Sequence, residues 1–151
     1  MPAKGRRSLG LDTYAMAQDE HGAWRHAPDE QFEGLRLADG WGSSSIRGKV
    51  YAEVVEAATG HSLYQQHIEP PTVAEMAARL REAVEQAKQM GPRVGVREMR
   101  VADKDGGTGI KRIEFPLLIV SGSEIHADEA EDLARWFEIC AEHGYGVDGW
   151  W

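Results

Sequence analysis

A chain of 151 residues and 16.7 kDa has the size of one domain and can bury a core without metal or disulfide staples. Apolar residues at 42% and charged residues at 28% exclude disorder of the whole chain, and no apolar run reaches the ~18 residues of a membrane-spanning helix. The net charge is −8, and without Lys4, Arg6 and Arg7 of a basic leader (residues 1–8) the body carries 14 basic against 25 acidic residues, a balance that repels a phosphate backbone and predicts no nucleic-acid partner.

The body, residues 9–151, opens in extended structure. Leu9, Leu11, Thr13 and Ala15 alternate with Asp12, Tyr14 and Met16, the period of a half-buried strand. The polar run from Gln18 to Gly22 turns the chain into a second extended stretch, Ala23 to Ala27, which together predict a hairpin. A third short strand is expected around Gly34 to Leu37. Ser43, Ser44 and Ser45 then offer N-cap hydroxyls to a helix whose inward stripe reads Ile46, Val50, Val54 and Ala57, widened by Tyr51, Val55 and Ala58, with Gly60 as its left-handed stop. After Pro70 and Pro71, Thr72 to Glu75 matches a capping box. Val73, Met76, Ala77, Leu80, Val84 and Ala87 give that second helix its core face, Glu75 and Arg79 an i,i+4 pair, and Gly91-Pro92 its end.

Val94 to Ala102 and Ile110 to Val120 form a second β region around the polar turn Asp103 to Gly109. Pro116 predicts that the later strand is an edge, is bulged or stops there, and Leu117 to Val120 is apolar on both faces and reads as buried. A third helix spans Ala127 to His143, with acidic residues in its first turn, Gly144 after its last, and Leu133, Trp136, Phe137 and Cys140 inward. The terminal Gly-Tyr-Gly-Val-Asp-Gly-Trp-Trp adds a strand or tucks two indoles onto the domain. The order β-β-β-α-α-β-β-α, in blocks, predicts an α+β fold with a mainly antiparallel sheet and about three helices.

The most unusual chemistry lies between Trp41 and Lys49. Cations near a helix start oppose its dipole, and Gly48 is a poor helix former, yet Arg47, Gly48 and Lys49 stand together there. An anion at that end would reconcile them, drawing on Ser43, Ser44, Ser45, Arg47 and Lys49 with Trp41 beside them, so a phosphate or carboxylate site is one expectation. The alternative is that Arg47 and Lys49 pair with the protein's own carboxylates, for example Asp12 or Asp39, while Gly48 permits helix–sheet contact. Val50 after the Gly-Lys pair excludes a P-loop.

Gly144-x-Gly146-x-x-Gly149 follows a helix, the reverse of a dinucleotide site. Asp103-x-Asp105 with Glu114 departs from a calcium loop, since Thr108 stands where Gly is required, and reads as a hairpin turn. The six histidines show no helical zinc spacing; His126 and Asp128 read as helix-start residues. Cys140 reads as an inert core thiol, and with one cysteine and no apolar signal core after the basic start a cytoplasmic location is expected. No pattern calls for a cofactor or a metal.

The segments 42–64 (GSSSIRGKVYAEVVEAATGHSLY) and 132–151 (DLARWFEICAEHGYGVDGWW) together resemble a group of uncharacterised actinobacterial proteins of similar length. That resemblance covers 43 residues and implies a shared small domain without an activity. Five tryptophans against three phenylalanines add a surface clue: Trp41 and the pair Trp150 and Trp151 present an apolar patch to another chain, or lock the C-terminus onto the sheet. The sequence therefore predicts a non-enzymatic binding domain working through protein–protein or homodimer contacts. The alternative is a small-molecule-binding or hydrolytic protein with an anionic ligand at the first helix.

Overall fold

The computed structural model describes residues 10–40 and 42–151. β1 (Asp12–Gln18) is the centre of a first antiparallel sheet. β2 (Trp24–His26) and β3 (Ser45–Ile46) share one of its edges, and β7 (Gly146–Trp150) takes the other. The strand period sends Thr13 and Ala15 into the core along with the preceding Leu11. The expected hairpin forms because Asp19 accepts the N–H groups of His21 and Ala23, each at 2.9 Å, and fixes the turn. No strand forms at Gly34 to Leu37: Asp29–Phe32 makes a 3-10 turn, and the third strand is the two-residue β3. A two-residue strand is too short to leave a period in the sequence.

α1 (Gly48–Thr59) starts later than the serines predict, with Arg47 at its N-cap and no side chain capping it. Ile46 belongs to β3, and the buried face runs through Gly48, Tyr51, Val54, Val55 and Thr59, leaving Val50 57% exposed and Ala57 exposed. In α2 (Pro70–Met90) the two prolines occupy the first helical positions, where no N–H is needed. Thr72 and Glu75 therefore lie inside the helix, the capping box does not form, and Glu75 pairs with Arg79 at 2.9 Å. All six expected inward residues of α2 are buried, and Gly91 ends it at φ 89°. α3 (Ala127–Glu142) buries Leu133, Trp136, Phe137 and Cys140 as read from the sequence. Burial pushes the Cys140 thiol well above its ordinary pKa, which leaves it inert.

The second sheet is antiparallel in the order β4 (Arg93–Ala102), β5 (Thr108–Val120), β6 (Ser123–His126). β6 is an extra strand, returned by a tight turn in which Ser121 and Gly122 have φ of 50° and 86°, the left-handed pair that a two-residue hairpin prefers. Pro116 thus stands in a central strand rather than an edge. It is tolerated because pairing with β6 begins one residue later, at Leu117 opposite His126. Leu118, Val120 and Ile125 are buried against the helices, while Leu117 and Ile119 on the other face are half-buried. Among the described residues the result is an α+β fold with three α-helices and two antiparallel sheets around one core. Among the described residues no helix is long and apolar enough to cross a membrane.

Candidate functional site

The residues expected to gather an anion divide between two environments. Ser44 and Ser45 are buried in the turn and strand ahead of α1, and Ser43 is half-buried beside them. The Ser44 N–H donates to Asp29 Oδ1 at 2.8 Å. Hydrogen bonds from its backbone and then its hydroxyl hold the Asp29 carboxyl below the usual range. The Ser45 hydroxyl donates to Gly42 O at 3.1 Å. A carboxylate of the protein itself therefore occupies the serine turn. Trp41 lies outside the described residues.

Arg47 and Lys49 are exposed and line an open groove of about 540 Å³ with Asp12, Val50, Trp150 and Trp151. Two first-turn donors of α1 are already used: Lys49 N–H reaches Leu11 O at 3.2 Å and Val50 N–H reaches Arg47 O at 3.0 Å. Gly48 has a packing cause. A β-carbon there would collide with Thr13 Oγ1 and lie 2.9 Å from the Leu11 side chain, so glycine lets α1 rest on β1. Of the three residues that suggested an anion, Gly48 is thus accounted for inside the fold, while Arg47 and Lys49 line the groove.

Sequence reading missed a histidine–carboxylate pair. His67 Nδ1 lies 2.5 Å from Asp148 Oδ1, across 81 residues, and the Trp24 ring packs on the imidazole with centroids 4.7 Å apart. His67 Nε2, which a general base would present to a substrate, is buried without a hydrogen bond, under the backbone of Gly146. The pair ties the loop before α2 to β7, and Glu69 Oε1 lies 3.7 Å from Nε2 on the other side of the ring. Nothing in the sequence signals the pair, because the partners meet through an isolated bridge of Ile68 to Val147 that leaves no strand period. Among the described residues no group of three metal-ligating side chains assembles, and the Asp103 turn is closed by its own amides, with Asp105 and Gly107 donating to Asp103 Oδ1 at 3.0 and 2.8 Å.

The surface that departs most from an ordinary domain is the hairpin of β4 and β5. Every residue of β4 is exposed except Gly95, which is half-buried, and exposure continues through the turn to Arg112, broken by a half-buried Gly109. Val94 is 66% exposed, Ile110 71% and Val96 46%, and Met99 and Val101 are exposed as well. Among the described residues the hairpin is an arm without a core beneath it. Its base is fixed: the Phe115 ring lies across Gly95 and stacks on His126 with centroids 4.1 Å apart. Beside that base a cleft of about 610 Å³ opens between α1 and the second sheet, with Phe115 and Leu117 inside and Glu53, Glu124 and Glu129 among its lining.

The arm also differs in charge. From Arg93 to Val120 it holds six basic and four acidic residues, a net +2 in a chain of net −8. Charges on both faces of β4, Arg93 and Arg97 on one and Glu98 and Arg100 on the other, are the sequence sign of a strand solvated on both sides. Comparison with protein-family models, with curated proteins and with solved structures finds no match to this chain.

Proposed function

We propose that the chain is a non-enzymatic binding domain that acts through contact with protein, either another chain or a second copy of itself, and that the β4–β5 arm is the contact surface. The observation that supports this reading is the exposure of Val94, Val96 and Ile110 on one face of a hairpin that has no core beneath it. Solvent-facing apolar side chains grouped on a projecting element mark interaction sites more often than scattered ones do. The burial of His67 Nε2 and of the Cys140 thiol favours binding over catalysis.

The test replaces Val94, Val96 and Ile110 together by serine. All three are exposed, so far-UV circular dichroism and Tm are expected to stay close to those of the parent. The reading predicts that self-association in sedimentation, or stable co-purification of a partner, is present in the parent and lost in the variant. A monomeric parent whose co-purifying proteins are the same as the variant's would contradict it.

A further inference from the structure

Resting on the reading of the arm as the contact surface, we propose that its occupant is a second copy of this chain. The outer edges of two β4 strands pair antiparallel about a two-fold axis at Met99. Among the described residues no strand covers that edge. It is ten residues long, contains no proline, and keeps an unbroken register with β5 from Arg93 opposite Leu117 to Ala102 opposite Thr108. Natural sheet edges are usually shortened, bulged or covered, because a long regular one is a template for another strand.

The hydrogen-bonding phase of the edge follows from its inner side. Asp103 donates its N–H to Gly107 O, toward β5. Direction alternates along a strand, so Met99 and Val101 share it, while Val96, Glu98, Arg100 and Ala102 turn their backbone groups to the outer edge. Pro116, opposite Val94, falls in this phase at a pair that exchanges no hydrogen bond with β4, where its missing donor costs nothing.

A two-fold axis normal to the sheet keeps each face on its own side, so the strand can pair with itself only with one residue opposite its own copy. Centring on Arg97, Glu98 or Arg100 sets like charges against each other, which is unfavourable. Centring on Met99 sets Glu98 opposite Arg100 of the second copy twice over, places Val96 against Ala102, and brings the acidic turn of Asp103 and Asp105 toward Arg93. Centring on Val96 avoids repulsion but pairs no opposite charges. Centring on Val101 would pair only three residues of β4, so among registers that pair seven or more of its residues only the one on Met99 sets opposite charges against each other, and that selects this chain over a foreign partner.

Sedimentation velocity on the full chain from about 1 µM to 1 mM should show a monomer–dimer equilibrium. Glu98→Arg and Arg100→Glu should each weaken the dimer about tenfold or more, and the double substitution should restore it. Met99→Cys should give a disulfide-linked dimer under mild oxidation, since directly opposed non-hydrogen-bonded pairs place their Cα atoms about 4.5 Å apart. Val96→Cys should not, because its own copy lies six residues away along the strand. The native Cys140 is buried and leaves the readout clean.

A parent that stays monomeric would overturn the self-pairing while leaving the arm open to another protein. So would a dimer that is lost in the serine variant yet indifferent to the charge exchange and to Met99→Cys. A dimer unaffected by the serine variant would overturn both readings. Binding of a random-sequence oligonucleotide that disappears in Arg100→Glu would assign the arm to nucleic acid and overturn self-pairing.

Discussion

Gly48 illustrates how one missing side chain sets the contact between two elements. With α1 resting on β1 at this point, Gly48→Ala must either push the helix off Thr13 and Leu11 or distort the strand. Overpacking of this kind typically costs about 1–3 kcal/mol, more than the helix propensity that alanine would return, about 1 kcal/mol. The substitution is therefore expected to destabilise, as a lower midpoint in urea denaturation, with no dependence on phosphate or sulfate. From the sequence alone Gly48 was open to two explanations, because a glycine signals a close approach without saying what approaches. The same holds for Ser44: its hydroxyl and amide were recognisable as donors, but that Asp29, fifteen residues earlier, would be their acceptor depended on the 3-10 turn that delivers it.

Among the elements, the helices were the most legible. α2 has 21 residues, enough turns for its apolar stripe to identify all six core positions. The shorter α1 was read about one residue out of phase, because Ile46 and Val50 fit a helical spacing that the chain does not use. The joint between α2 and α3 is held at its rim by Arg81, which reaches Glu131 at 2.7 Å and Glu138 at 2.8 Å, with Lys88 also on Glu131.

Hydrogen bonds from Arg81 and then Lys88 hold the Glu131 carboxyl below its usual range, as the Ser44 amide does for Asp29. A depressed carboxyl pKa means that the unfolded chain binds more protons in the window between the folded value and the ordinary value near 4. Its stabilisation is present above that window and is lost as the pH falls through the folded value. Stability in urea should therefore be level from about pH 7 to pH 5 and fall below about pH 4. Arg81→Gln should lower neutral stability by about 1 kcal/mol or less, since the network is partly solvated, and should flatten the acid limb. An acid limb unchanged by that substitution would place the effect elsewhere.

At the scale of the molecule, the α+β class followed from the order of segments, whereas the projection of the arm did not. Valines alternating with charged residues along β4 look the same whether one face is packed or both are wet, and only the placement of the helices decides it. They cover Leu118, Val120 and Ile125 at the base of the second sheet and reach no further. The fold thus separates a body that carries most of the negative charge from an arm of net +2 with an uncovered edge. Amide hydrogen exchange along β4, followed as protein concentration is raised, reads that edge residue by residue. The account predicts that Met99 and Val101 are protected at every concentration through β5, while Val96, Glu98, Arg100 and Ala102 exchange quickly in dilute solution and slow as the dimer forms. Fast exchange of those four amides at all concentrations would contradict it.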